Sequence, residues 1–312
     1  MPSPSSSPRY RFASPPGYEL IKKTLQSQLP FTPHDYQLEG VGQLLDGKDL
    51  VAVLATGSGK TGYYLIYMLM LCELSKNPAL CQAPYPPAPK DPCMVIIYPT
   101  NGLEEEQAAV FGKAGLTTLV INATTLEEGR KAKMDLWAVA RTNTAVILLS
   151  PELLTSPRFD ALLQNPAFQS RFPTIIPSAR FPLGTRLLGS TATLLVGHPE
   201  KTILSFVGLR EGEFYLLRRS NIRCNVQTIF RTLSRGLGGW SFPDIKWILR
   251  DGRKTVIHCR TIATSFRVAV YLLHLCPLGS DPTRRGRMYN TYYGYERARD
   301  ETGETSGSKE TR

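Results

Sequence analysis

No two of the six cysteines (Cys72, Cys81, Cys93, Cys224, Cys259, Cys276) stand at Cys-x-x-Cys spacing, so the 312-residue chain offers neither a disulfide framework nor a cysteine zinc site. A reducing intracellular compartment is the simpler expectation. No apolar run is long enough to cross a bilayer, so no membrane partner is expected. The start, Met1-Pro2-Ser3-Pro4-Ser5-Ser6-Ser7-Pro8, lacks the apolar core of a secretory signal and reads as unstructured. Acids are scarce beside bases: 26 Asp+Glu against 37 Lys+Arg give a net charge of +11. That excess suits a polyanionic partner such as nucleic acid, and a merely basic soluble protein has the same count. With 42% hydrophobic residues, the length allows two ordinary domains.

What is present centres on Thr56-Gly57-Ser58-Gly59-Lys60-Thr61. An apolar run, Leu50 to Leu54, precedes it as a buried parallel strand, and an apolar helix, Tyr63 to Met70, follows. Strand, glycine-rich turn, Lys-Thr and helix form the setting of a phosphate-binding loop. Gly57 and Gly59 let backbone N–H groups turn toward an anion, and the helix N-terminus adds partial positive charge. Lys60 is placed to reach the β- and γ-phosphates of ATP, and the Thr61 hydroxyl to ligate Mg²⁺. The general pattern has a glycine where this chain has Leu54.

Along the chain, residues 36–46 read as a helix and a second helix follows Lys60 to about Lys76. A proline-rich loop spans Asn77 to Pro92. Strands are expected at Met94–Tyr98, Thr117–Ile121 and Ala145–Leu149, and helices at Gly102–Gly115 and Leu126–Arg141. Apolar strands alternating with helices imply an α/β domain with a parallel sheet covered on both faces, whose ligands lie at the carboxyl ends of the strands. A second region starts near residue 209, with strands at Glu213–Leu217 and Lys254–Cys259 and a helix at Thr264–Leu275. So few βα units do not close a domain, so this region reads as incomplete. The resulting division is an unstructured start (1–17), a first domain (18–208), a partial second domain (209–276) and a polar, unstructured tail (277–312).

The order of further motifs carries more than any one of them. After the phosphate loop come Pro99-Thr100-Asn101-Gly102-Leu103 with Gln107, then Ser150-Pro151-Glu152, then a strand ending Thr191-Ala192-Thr193, then His258-Cys259-Arg260-Thr261. Phe31 to Gln37 precedes the first of the helices just named. This order resembles the superfamily 2 helicases, and within them the RecQ-like DNA helicases of fungal type, over roughly residues 30 to 275. The resemblance implies two RecA-like domains, the second incomplete here, and ATP with Mg²⁺ as cofactors. It implies adenine reading by Gln37, against the plainer reading of a surface glutamine. Pro99, Thr100, Asn101, Gln107, Ser150, Pro151, Glu152, Cys259 and Arg260 would touch DNA, and Thr191 and Thr193 would couple nucleotide state to the domain interface. Glu152 has a second reading, as a substitute acid. A nuclear role in repair and recombination, with 3′–5′ unwinding, also follows from the resemblance.

Two departures bear on activity. No Asp-Glu pair occurs between Glu152 and Thr191, where the family carries its Asp-Glu-Ala-His box. That box holds Mg²⁺ and positions the attacking water. Nothing after Leu275 resembles the motif carrying the arginine finger, whose loss costs about 10³–10⁵ in rate in GTPases. ATP binding and weak DNA binding with impaired hydrolysis are therefore expected; the alternatives are a non-catalytic binding module and a P-loop ATPase unrelated to nucleic acid. Arg284, Arg285 and Arg287, followed by Tyr289, Tyr292, Tyr293 and Tyr295, read as a solvated tail with some capacity to stack on bases.

Overall fold

The computed structural model describes residues 10–81, 88–172, 186–220, 227, 229–251 and 255–275. It divides into two compact units, Met1–Cys224 and Asn225–Arg312. In the first unit the elements run α1 (Pro15–Leu25), α2 (Asp35–Leu45), β1 (Asp49–Val53), α3 (Lys60–Lys76), β2 (Met94–Ile97), α4 (Asn101–Lys113), β3 (Thr118–Ile121), α5 (Ala123–Lys131) and α6 (Leu136–Arg141). They continue with β4 (Val146–Leu149), α7 (Pro157–Leu163), α8 (Pro166–Gln169), β5 (Leu188–Thr191), α9 (His198–Phe206) and β6 (Phe214–Arg218).

The strands form two three-stranded parallel sheets, ordered β5-β1-β6 and β2-β4-β3, where a single sheet was expected. Val53 pairs with Thr191 on one side and with Arg218 on the other. Ile97 and Ile121 both pair with Leu149. One apolar core joins the sheets: Leu50 and Ala52 of β1, Ile96 of β2 and Val146 and Leu148 of β4 bury together with the α3 residues Tyr63 to Leu71. Because α3 is apolar on nearly all sides, it sits buried under both sheets rather than at the surface. Its Tyr64 hydroxyl shares a 2.7 Å hydrogen bond with Ser190 of β5.

Four expectations are corrected. Residues 10–17 are not an unstructured start: Phe12 is fully buried, the Asp46 carboxylate accepts the backbone N–H groups of Phe12 and Ala13 at 2.7 and 2.9 Å, and Ser14 caps α1. The helix expected over Leu126–Arg141 is two helices, because Lys133 takes a left-handed φ of 56° and Asp135 caps the second. The strand near Leu217 does not open a second domain: β6 hydrogen-bonds to β1, and the compact units divide at Cys224, not at residue 208. Residues 255–259 form no strand, and Val256 is almost fully exposed. The proposed tail 277–312, with its arginine and tyrosine groups, lies outside the described residues, as do residues 1–9 and residues 173–185 of the interval that lacks an Asp-Glu pair.

The second unit holds α10 (Ile248–Asp251) and α11 (Ile262–Leu275) around a small core of Phe242, Val268 and Leu272. Arg267 donates to the carbonyls of Gly238 and Gly239, fixing that turn to α11. Among the described residues, no helix is long and apolar enough to cross a membrane.

Candidate nucleotide and nucleic-acid site

β1 delivers the chain into the phosphate loop. Gly57 and Gly59 hold left-handed φ values of 83° and 74°, which residues with a Cβ rarely adopt. α3 begins at Lys60 with Gly59 as its cap, so the first-turn N–H groups of Lys60 and Thr61 have no carbonyl inside the helix. Those donors, the helix dipole and the Lys60 amine fit the phosphates of a nucleotide. The Lys60 Nζ donates to the carbonyls of Leu54 at 3.2 Å and Ala55 at 3.0 Å. Burial pulls the amine below its ordinary pKa. The Ser58 hydroxyl donates to Ala55 O at 2.7 Å, tying off the turn. Thr61 is the residue expected to offer a hydroxyl to Mg²⁺, and among the described residues no group of three or more His, Cys, Asp or Glu that could hold a metal ion stands near it or elsewhere.

Gln37 is not placed as an open base reader. It is 1% exposed, and both ends of its amide are engaged: Oε1 accepts from His34 N–H at 2.8 Å, and Nε2 donates to Gly59 O at 2.8 Å. A Cβ on Gly62 would lie 2.3 Å from that Nε2, so Gly62 keeps the space open. The exposed side of the same segment carries rings that the sequence reading left aside. His34 and Tyr36 stack with centroids 4.9 Å apart and planes 17° from parallel, and the Arg219 guanidinium lies 5.5 Å from the Tyr36 centroid. The Tyr36 hydroxyl donates to Ser58 O at 2.9 Å, so this stack is fastened to the phosphate loop. Arg219 itself follows β6, with its N–H on Val53 O. In the sequence Arg219 opens Arg219-Ser220-Asn221-Ile222, which resembles the family's link into a second domain and does not show that β6 flanks β1.

Thr191 ends β5 level with Val53, and Thr193 N–H donates to Thr191 Oγ1 at 3.2 Å. Thr191 and Thr193 therefore flank the phosphate loop on the side opposite Arg219.

The carboxyl end of the second sheet gathers the other expected contacts. Pro99, Thr100 and Asn101 are exposed at the start of α4, and Pro151 and Glu152 are exposed after β4. Gln107 and Ser150 are not: both are buried, so neither side chain reaches a strand in solvent. Glu104, on the same helix as Gln107, is a fully buried carboxyl that the sequence did not single out. Glu104 Oε2 accepts from Asn122 Nδ2 at 2.7 Å, while Glu104 Oε1, Gln107 Oε1 and Ser150 Oγ have no hydrogen-bond partner. Burial raises the Glu104 pKa, the Asn122 bond opposes the rise, and the charges of Glu152 and Glu105 add to it. Cys259 and Arg260 belong to the second unit, in the irregular segment before α11.

A family model described as DEAD/DEAH box helicase matches residues 34–195. Among solved structures, the chain is similar to the crystal structure of a DUF1998 helicase, MrfA, bound to DNA, at 12% identity and a TM-score of 0.53. The match covers 92% of this chain and 43% of that one, so the chain spans less than half the length of that helicase. No curated protein matches the chain.

Proposed function

The chain belongs to the DEAD/DEAH box helicase family, and on that premise we propose that it binds ATP through residues 56–61 and a nucleic-acid backbone, DNA by resemblance, through the exposed loops after β2 and β4. The observation that carries the reading is the phosphate loop itself: two left-handed glycines, a lysine held by loop carbonyls and a helix start with open N–H groups. When phosphates enter, Lys60 exchanges two neutral carbonyls for charged oxygens, and charge-assisted bonds are the stronger kind. The His34–Tyr36–Arg219 stack offers a flat surface beside the loop for the base. Pro99, Thr100, Asn101, Pro151 and Glu152 line the carboxyl ends of two adjacent strands, where α/β sheets hold their ligands. Contacts there with phosphates position a strand and carry no sequence information.

In this reading hydrolysis is impaired, because no Asp-Glu pair stands between Glu152 and Thr191 to complement Thr61 and orient water. The finer assignment, a RecQ-like DNA helicase with 3′–5′ polarity acting in nuclear repair and recombination, rests on the ordered motifs from Gln37 to Arg260. The second reading, a non-catalytic nucleic-acid-binding module, shares the strand contacts and drops turnover. Titration of a labelled single strand at two salt concentrations, with ATP turnover followed alongside, tests both. Affinity that falls steeply with salt, with little DNA-stimulated hydrolysis, is the expected result. Affinity indifferent to salt overturns the nucleic-acid reading.

A further inference from the structure

Beyond the strand-end loops, the first unit has an open cleft of about 510 Å³ between the end of α5, the start of α6 and the segment joining β4 to α7. Its floor is apolar, with Leu126, Trp137 and Leu153. Trp137 is held from below by Phe159, with ring centroids 6.3 Å apart, so the floor is a fixed surface. Its rim is cationic, with Arg130, Lys133 and Arg158. The acid among the lining residues, Asp135, is already paired with Arg158 at 3.3 Å. Arg130 and Lys133 over an apolar floor match a chain that alternates phosphates with rings.

The turn that presents Lys133 adds a second observation. Met134 N–H donates to Gly129 O at 2.8 Å and Lys133 N–H to Arg130 O at 3.1 Å, closing α5 in the manner of a Schellman cap. The residue at the left-handed position of such a cap is usually glycine, and here it is Lys133 at φ 56°. The chain keeps a charged side chain at the rim in a backbone conformation that glycine adopts more easily. The turn also depends on Gly129, where a Cβ would stand 3.0 Å from Met134 O. The cleft is continuous with the proposed strand track: Leu153 lies on the short 3-10 turn Pro151–Thr155, whose first residues are the exposed Pro151 and Glu152.

We propose that this cleft holds the nucleotides of a single strand that runs on from the loop after β4, phosphates on Arg130 and Lys133 and a base or sugar on the Leu126–Trp137–Leu153 floor. The proposal rests on the nucleic-acid reading above. It is tested by comparing oligothymidylates of about 5 and about 15 nucleotides, spanning the usual range of single-strand site sizes. The proteins are the full chain, the double variant Arg130→Glu/Lys133→Glu, and Lys133→Gly, which relaxes the cap and retains the fold. Both variants are expected to lose about tenfold or more in affinity for the long strand and to show a shallower salt dependence, with the short strand unaffected. Lys133→Gly is expected to do so while melting no lower than the parent. Parent-like binding of the long strand by both variants overturns the cleft and leaves the strand-end loops standing. Failure of the parent to bind either length overturns both readings.

Discussion

The Gln37 amide donates to the Gly59 carbonyl at 2.8 Å, joining the first turn of α2 to the glycine that starts α3. The bond makes Gln37 a brace of the phosphate loop. A brace affects every nucleotide equally, whereas a base reader affects one. Gln37→Ala is therefore expected to weaken ATP, GTP and inorganic tripolyphosphate by similar factors, on the scale of about 0.5–1.5 kcal/mol for a lost hydrogen bond. Competition titrations measure this, and a loss confined to ATP would return Gln37 to base reading.

Glu104 gives a pH dependence with a definite sign. Its folded-state pKa is raised, chiefly by burial, so the folded chain binds that proton more tightly than the unfolded chain does. Its contribution to stability is complete below the ordinary glutamate range and is lost as pH rises through the raised value. Glu104→Gln keeps an oxygen for Asn122 and removes the ionisable group. The variant is expected to flatten the decline in denaturant midpoint between acid and neutral pH. A parent whose midpoint rises through that interval, with the variant unchanged from it, contradicts this role.

Arg171 follows α8 and ties it to its neighbours. It is buried, pairs with Asp91 at 2.8 Å, donates to Ala140 O at 3.0 Å and to Thr144 O, and its own carbonyl accepts from Cys93 N–H. Arg171→Met removes these donors and leaves buried carbonyls unpaired, at a cost of about 1–3 kcal/mol for an unpaired buried acceptor. Urea denaturation reads that loss directly. A midpoint within error of the parent means the contacts at α8 contribute nothing net.

Much of the first unit was legible in the sequence, for local reasons. Val146 to Leu149 is apolar throughout and could only be buried on both faces, and the α3 block after Lys60 is apolar on nearly all sides. What escaped was non-local or compensated. β6 pairs Phe214 with Asp49, and no window of sequence reveals which strand lies beside β1. The break between α5 and α6 carries Lys133 at the left-handed position, so the glycine that usually marks such a stop was missing. Phe12 is buried because Asp46, far along the chain, satisfies its backbone. At the site, the phosphate loop was readable because its chemistry is contiguous. The burial of Gln37 and Gln107 was not, since spacing along a helix says which residues share a face and not whether that face meets solvent.

Binding of a fluorescent ATP analogue by the full chain and by Lys60→Ala is the most direct test of the central claim. The left-handed glycines and open N–H groups remain in the variant, but the amine that replaces loop carbonyls with phosphate oxygens is gone. Saturable, competable binding by the parent and its loss in Lys60→Ala is the predicted result. Equal binding by the two proteins contradicts the account, because the phosphate loop would then not be where the nucleotide sits.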